Sequence, residues 1–129
     1  MKICVYCSSS DELDGKYYEE GRAFGREIAK RGHSLVYGGY CKGIMAAVAE
    51  GVHENGGEIT AVVPKVFDRE GFTYEGCTRV IKTPDMNSRK KTMEAEADAI
   101  AVLPGGIGTM DEFFEALVLK TIGELDRPM

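Results

Sequence analysis

Short apolar runs alternate with helical patterns along the entire chain, and this alternation limits the fold more than any other feature of the sequence. The runs are apolar throughout instead of alternating with polar residues, which is typical of strands that are covered on both faces. Five such strands are predicted: Ile3–Tyr6, Ser34–Tyr37, Glu58–Val63, Thr78–Ile81 and Ala99–Leu103. Because strands that alternate with helices form a parallel sheet with helices on both sides, the sequence predicts a doubly wound α/β fold.

The helices predicted between these strands complete a single domain. The first is indicated by four residues at the spacing of one helix face: Tyr17, Gly21, Phe24 and Ile28. The others are predicted at Ile44–Glu54, Met86–Ala97 and Thr109–Ile122, and Lys65–Gly76 is predicted as a loop or a short helix. The 129 residues contain no linker and no repeat, so one domain is predicted over residues 1–129. Another strand could begin where the chain stops, and we expect that a C-terminal strand and helices are missing from it.

The charge balance excludes several classes of partner. The chain has 16 Lys and Arg residues against 21 Asp and Glu residues, for a net charge of -5. Nucleic acid and anionic membranes are disfavoured as partners, because phosphate contacts need a basic surface. No stretch approaches the roughly 20 apolar residues of a membrane span, and the N-terminal apolar run is too short for a secretory signal. We therefore expect a cytoplasmic protein.

The cysteines are expected to stay reduced and to act as small buried hydrophobic residues. The chain has four of them: Cys4, Cys7, Cys41 and Cys77. Cys4 and Cys7 form a C-x-x-C pair, but residues three apart on a strand point to opposite faces and cannot share a metal. His33 and His53 lack the spacing of metal ligands. We expect no metal and no organic cofactor.

The loop after the fifth predicted strand, Pro104–Thr109, carries the most information about function. It has three glycines in four positions and leads directly into a helix. Glycines permit close backbone approach to a ligand, and a helix start offers unpaired N–H groups to phosphate. A glycine-rich structural turn is the alternative. Asp111 occupies the position at which a dinucleotide-binding fingerprint needs glycine, which disfavours NAD binding. No Gly-Lys-Ser/Thr occurs in the chain, which disfavours a Walker A loop.

Two neighbouring features have both a structural and a functional interpretation. Thr109 and Glu112 have the spacing of a capping box, which the spacing alone favours over a catalytic role. The serines that follow Cys7 at the end of the first strand are either hydroxyl donors to a ligand or a polar turn.

The helix predicted from Met86 carries its charges against the helix dipole. Arg89, Lys90 and Lys91 lie in its first turns, where cations are disfavoured, and its acidic residues lie toward its end. Local rules of this kind fail most often at functional sites, so Arg89 is a candidate anion clamp. The alternative is a solvated charged face on which Lys90 pairs with Glu94 at i, i+4.

Three motifs resemble those of the lonely-guy (LOG) family, which are cytokinin-activating nucleoside 5′-monophosphate phosphoribohydrolases. Pro104–Glu112 matches the family's P-G-G-x-G-T-x-x-E, and Met86–Lys90 matches M-x-x-R-K. Tyr37–Met45 is similar to Y-G-G-G-x-x-G-L-M. The motifs occur in the family's order, and the resemblance runs along essentially the whole chain. Many members carry the older label "possible lysine decarboxylase".

The resemblance implies a Rossmann-like fold, a homodimer, and hydrolysis of the N-glycosidic bond of purine nucleoside 5′-monophosphates. It implies Arg89 and Glu112 as the catalytic pair. The substrate-binding residues that it implies are Ser9, Gly38, Gly39, Gly43, Met86, Lys90, Gly105, Gly106, Gly108 and Thr109. The chemistry agrees, since a carboxylate can stabilise an oxocarbenium-like sugar and activate water, while phosphate contacts orient the ribose. No cofactor is implied.

The sequence also departs from the family pattern. Ser8 replaces the glycine of C-G-S-S, and Tyr40 and Cys41 replace the third glycine and the small residue after it, so we expect Tyr40 to narrow the base pocket. A non-catalytic carrier of a nucleotide or cofactor phosphate, resembling molybdenum-cofactor carrier proteins, is the alternative function. A decarboxylase is disfavoured, because no lysine has a recognisable setting for pyridoxal phosphate. The last helix is apolar on more than one face, which suits a dimer interface or missing segments.

Overall fold

The computed structural model describes residues 1–129 and contains every predicted strand and helix. Strands β1 to β5 span Lys2–Tyr6, Ser34–Tyr37, Ile59–Pro64, Arg79–Thr83 and Ala99–Val102. Helices α1 to α4 span Gly15–Lys30, Gly43–Glu54, Met86–Glu96 and Ile107–Thr121. A short 3-10 helix at Lys65–Phe67 opens the segment between β3 and β4.

The five strands form one parallel sheet in the order β4-β3-β2-β1-β5. The chain winds outward from β1 to β4, and α3 then crosses back over the sheet so that β5 pairs with the free side of β1. The winding direction therefore reverses between β1 and β5. In open parallel sheets, ligands bind at the carboxyl ends of the two strands that flank such a reversal. The predicted Rossmann-like, doubly wound single domain is confirmed.

Side chains of β1, β2, β3 and β5 alternate between two hydrophobic cores. Val5 and Cys7 lie in the core beneath α1 and α2, whereas Cys4 and Tyr6 lie in the core beneath α3 and α4. The C-x-x-C pair thus points to opposite faces, as predicted, and all four cysteines are free. No group of residues in the structure has the composition and spacing of a metal site. None of its helices is both long and apolar enough to cross a bilayer.

Candidate active site

A cavity of about 520 Å³ lies at the carboxyl edge of the sheet, where the topology places a ligand. The turns that follow β1, β2 and β5 form part of its wall, and α3, α4 and the segment after β3 form the rest. Its volume is within the range of sites for small molecules, roughly 300–1,000 Å³.

Eight of the twelve site residues predicted from the sequence line this cavity. They are Ser9, Gly38, Met86, Arg89, Gly106, Gly108, Thr109 and Glu112. The four others, Gly39, Gly43, Gly105 and Lys90, do not line it. The structure therefore brings both members of the predicted catalytic pair to one cavity, with the glycine turn beside them.

Two of the predicted binding glycines outside the cavity shape its turns instead. Gly43 has a φ of +70°, and a Cβ on it would lie 2.5 Å from the carbonyl carbon of Ser9. A Cβ on Gly105 would lie 2.1 Å from Oγ1 of Thr109. Because glycine lacks this atom, both turns can pack closely against their neighbours. Gly43 and Gly105 thus have a structural role in these turns, and their expected role in substrate binding stays a prediction.

The remaining glycine outside the cavity, Gly39, supports the turn after β2. It has a φ of +86°, and a Cβ on it would lie 3.0 Å from side-chain atoms of Ala61 and Val63. Gly39 therefore packs against β3, and its expected contact with the substrate stays a prediction.

The serines after β1 fill both roles that the sequence left open, since one stabilises the turn and another faces the cavity. Oγ of Ser8 accepts a hydrogen bond from the N–H of Ser10 at 3.0 Å, so this buried serine holds the turn together. Ser9 is exposed and lines the cavity, where its hydroxyl is available to a ligand.

Helix α4 begins at Ile107, two residues earlier than predicted, and the expected capping box is wrong. Its N-cap is Gly106, no side chain caps the helix, and its first turn contains no acidic residue. Thr109 lies inside that first turn, and its side chain is buried. The cavity thus meets a helix start with unpaired N–H groups and an uncompensated positive dipole end. A Cβ on Gly106 or Gly108 would meet no atom within 4 Å, which leaves open space there for a ligand.

Arg89 is a buried guanidinium that is held in place by two backbone carbonyls. Its Nε donates to the carbonyl oxygen of Val62 at 3.0 Å, and its Nη2 donates to that of Gly38 at 2.6 Å. A Cβ on Gly38 would lie 2.1 Å from Nη2, so glycine is needed there for the arginine to approach. Burial lowers the pKa of Arg89, while the charge of Glu112 opposes that effect.

The remaining N–H groups of Arg89 are available to a ligand. A guanidinium has five N–H donors, and only two of those in Arg89 have an oxygen acceptor. Arg89 forms no salt bridge, and only 6% of its surface is exposed to solvent. A buried cation without an anionic partner in a cavity is expected at an anion-binding or catalytic site. The alternative of a solvated charged face on α3 is wrong for this residue.

Glu112 is a partly buried carboxyl that faces the cavity without a hydrogen-bond or ion-pair partner. Burial raises the pKa of Glu112 to about 7, and the positive charge of Arg89 only partly offsets this. A carboxyl that titrates near neutral pH can exchange a proton with a substrate or a water molecule. Glu112 therefore has the environment of a general acid or base.

Lys90 is turned away from the cavity and joins α3 to α4. Its Nζ lies 3.0 Å from Oδ2 of Asp111 and 3.4 Å from Oε1 of Glu115. The i, i+4 ion pair with Glu94 that the sequence offered as an alternative does not form. Burial raises the pKa of Glu94 to about 7, and the neighbouring Glu115 carboxyl adds to the shift. Lys90 thus fixes the helix that carries Arg89 against the helix that carries Glu112.

Three further residues of the cavity wall, which the sequence analysis did not assign to the site, come from one segment: Phe67, Arg69 and Phe72. They lie in the segment between β3 and β4, which has neither a periodic pattern nor a motif. The one signal available was the pair of aromatic residues in a segment that otherwise looked like a polar loop. Tyr40 also lines the cavity, and its ring stacks on Phe72 with a centroid distance of 4.8 Å.

Together, the fold and this crevice define a Rossmann-like α/β protein whose switch point holds a buried arginine beside a carboxyl that can titrate. A family model described as "Possible lysine decarboxylase" matches residues 45–129, about two thirds of the chain. The chain therefore belongs to this family, and the resemblance to LOG proteins seen in its motifs is confirmed.

Several curated relatives match nearly the entire chain. Cytokinin riboside 5′-monophosphate phosphoribohydrolase LOG3 of Arabidopsis thaliana is 34% identical over 128 residues, which are 99% of this chain and 60% of the relative. LOG7 of the same plant is 36% identical over 99% of this chain and 59% of its own length. LOG of Oryza sativa subsp. japonica is 35% identical over 99% of this chain and 53% of its own length. The chain thus spans about 60% or less of these relatives.

Solved structures confirm the fold. The X-ray structure of TM1055, a structural genomics target, has a TM-score of 0.79 and 27% identity, and the match covers 92% of this chain and 69% of that one. The molybdenum cofactor carrier protein of Chlamydomonas reinhardtii has a TM-score of 0.80 and 23% identity over 92% of this chain and 71% of its own. At that identity the second likeness shows the fold alone.

Proposed function

We propose that this chain binds a purine nucleoside 5′-monophosphate, such as AMP or a cytokinin riboside monophosphate, and hydrolyses its N-glycosidic bond. The observation that carries the proposal is the convergence of an open helix start, the Glu112 carboxyl and the Arg89 guanidinium on one cavity. The names of the LOG relatives, which are phosphoribohydrolases of cytokinin riboside 5′-monophosphates, support the same reaction.

In the proposed complex, the phosphate binds at the N-terminus of α4. The unpaired N–H groups and the dipole of the first turn favour an anion there, and Gly106 and Gly108 leave it room. Glu112 lies one turn further along the same helix and lines the same cavity as Cys7, the residue that follows β1. A phosphate fixed at the helix start would therefore hold the ribose beside Glu112, which turns binding energy into orientation.

In the reaction, the bond between C1′ and the base nitrogen breaks and water adds to C1′. Glu112 in its ionised form stabilises the cationic sugar and accepts a proton from the attacking water. The free N–H groups of Arg89 hydrogen-bond the departing base, which gains electron density as the bond breaks. The proton that Glu112 has accepted passes through solvent to the departing base nitrogen, which regenerates the carboxylate and gives the neutral free base and ribose 5-phosphate.

A Glu112→Gln variant tests the reaction. We expect it to bind AMP, as measured by calorimetry, because the phosphate contacts are intact. We expect its release of adenine, followed by chromatography, to fall at least about a hundredfold, the usual size of a general acid–base effect. Glu19→Gln on the exposed side of α1 is the matched control and should leave turnover unchanged.

Each other outcome has a distinct meaning. Turnover by Glu112→Gln at the wild-type rate would exclude the proposed reaction. Tight AMP binding without turnover by the wild type would instead favour a non-catalytic carrier, the function named for the structural neighbour from Chlamydomonas reinhardtii. The family description names a lysine decarboxylase, but no lysine lines the cavity, so its residues do not fit a pyridoxal phosphate Schiff base.

A further inference from the structure

An aromatic wall closes the end of the cavity that the proposed mechanism leaves unassigned. It consists of Tyr40, Phe67 and Phe72, with Arg69 beside them. The rings of Tyr40 and Phe72 are stacked at 4.8 Å, and those of Phe67 and Phe72 at 5.1 Å with planes 7° apart. The guanidinium of Arg69 lies 5.5 Å from the Phe72 ring and 5.9 Å from the Phe67 ring.

The strand order fixes where this wall lies relative to the open helix start. The glycine turn follows β5, Tyr40 follows β2, and Phe67 follows β3. In the order β3-β2-β1-β5, three strand spacings separate β5 from β3, which is about 14 Å. Glu112 lies one turn beyond that helix start, whereas Arg89 bonds the carbonyls of Val62 in β3 and of Gly38 directly after β2. Along the cavity from the helix start, Glu112 therefore comes first, and Arg89 lies next to the aromatic wall.

Backbone hydrogen bonds of the fold hold the aromatic wall in place. Tyr40 pairs with Thr73 as an isolated antiparallel bridge. The N–H of Cys41 donates to the carbonyl of Phe72 at 2.9 Å, and the N–H of Tyr74 donates to that of Gly39 at 2.9 Å. Phe72 is buried, and Phe67 is half-buried. The segment after β3 is thus tied to the turn after β2, and its rings are held in place before any ligand binds.

The wall is also connected to the catalytic pair. The guanidinium of Arg89 lies 5.8 Å from the centre of the Phe67 ring. A group packed against Phe67 would therefore be within reach of the free N–H groups of Arg89. No carboxylate lines this end of the cavity, so apolar rings and guanidinium donors are its chemistry.

We infer that Tyr40, Phe67 and Phe72 form the subsite for the base, and that it selects a flat two-ring purine by packing. The inference rests on the proposed function, since it takes the phosphate to lie at the start of α4. Aromatic surfaces bind bases through offset-stacked and edge-to-face contacts, which grow with ring area. A purine therefore gains more binding free energy from these contacts than a pyrimidine. Arg69 donates hydrogen bonds to acceptor atoms on the edge of the base.

The test compares AMP with ribose 5-phosphate, which has the phosphate and the sugar but no base. All variants carry Glu112→Gln so that bound AMP persists, and affinities are measured by calorimetry. We expect Phe67→Leu to weaken AMP binding about tenfold, within the usual effect of removing one stacking ring, and to leave ribose 5-phosphate unchanged. Phe67→Tyr should retain AMP binding, because it keeps the ring.

Phe24→Leu is the matched control, since Phe24 is partly buried in α1 and does not line the cavity. It should change neither affinity. Equal AMP binding by Phe67→Leu and Phe67→Tyr would overturn the base subsite, as would equal affinity of the parent protein for AMP and ribose 5-phosphate. Binding of neither compound would remove the proposed function together with the subsite. If AMP binding depends on the Phe67 ring but the wild type releases no adenine, the base subsite is supported and only the proposed hydrolysis is excluded.

Discussion

At the scale of single residues, the site depends on two ionisable side chains, Arg89 and Glu112, that form no ion pair. Arg89 is held by backbone carbonyls and not by a carboxylate, so its charge remains available inside the cavity. Glu112 has no hydrogen-bond donor to stabilise its ionised form, so its pKa rises to about 7. Both arrangements oppose stability, and such arrangements persist where function requires them.

The raised pKa of Glu112 predicts how the pH changes stability. Its usual value is 4.5, so between about pH 4.5 and 7 the folded protein holds a proton that the unfolded chain has released. The contribution of Glu112 to the free energy of unfolding therefore falls as pH rises through this window. Glutamine has no such dependence. We expect Glu112→Gln to be more stable than the wild type at about pH 8, with a smaller difference near pH 5.

Thermal unfolding of the two proteins across this pH range is the measurement. Burial also raises the pKa of Glu94, but that group is common to both proteins and cancels in the difference. A difference in melting temperature that stays constant from about pH 5 to 8 would contradict the assigned environment of Glu112.

The residues whose contacts the sequence analysis did not predict owe their positions to long-range interactions. Thr109 has the spacing of a helix cap, but the turn after β5 lets α4 begin at Ile107 instead. Lys90 was assigned to the ligand because its partners, Asp111 and Glu115, lie on another helix. Phe67 and Phe72 carry no local signal, since their role arises only where their segment pairs with the turn after β2.

At the scale of secondary structure elements, the strands and helices were predictable because their signals are local. Runs such as Ser34–Tyr37 are apolar on both faces, and glycines end the helices that precede β2 and β3. The sheet order was not predictable from these patterns, because β5 pairs with β1 only after α3 has crossed the sheet. That pairing creates the crevice between the serine turn and the glycine turn.

Helix α4 carries an apolar stripe that the rest of the chain leaves uncovered. Its members lie three or four positions apart on one helix face: Ile107, Met110, Phe114, Val118 and Ile122. Ile107 is 90% exposed and also lines the cavity, so a protein packed on the stripe would border the site. Large exposed apolar surfaces of this kind mark interaction sites, which agrees with the homodimer that the LOG resemblance implies.

We expect the stripe to join two copies of the chain. Phe114→Glu places a charge in its centre and should convert a dimer into a monomer, as measured by sedimentation velocity. Glu124→Gln, at an exposed position just beyond the helix, is the control and should leave the mass unchanged. A wild-type chain that sediments as a monomer, or a Phe114→Glu variant that sediments as a dimer, would contradict this assignment.

In the whole molecule, the parts of the cavity are arranged in order along the carboxyl edge of the sheet. The glycine turn, then Glu112, and then Arg89 with the aromatic wall follow one another from β5 to β3, in the order of phosphate, sugar and base in a nucleotide. The family resemblance predicted the first two parts from their motifs. Of the third part, the sequence indicated Arg89 and Tyr40, but Phe67 and Phe72 could not be predicted, because they reach the cavity only in the assembled fold.

The crystal structure of the Glu112→Gln variant with AMP tests this order most directly, since bound AMP is not consumed. The account predicts that the phosphate lies against Gly106–Thr109, that C1′ lies beside the side chain of residue 112, and that adenine packs against Phe67. A phosphate bound elsewhere, or a sugar out of reach of residue 112, would contradict it.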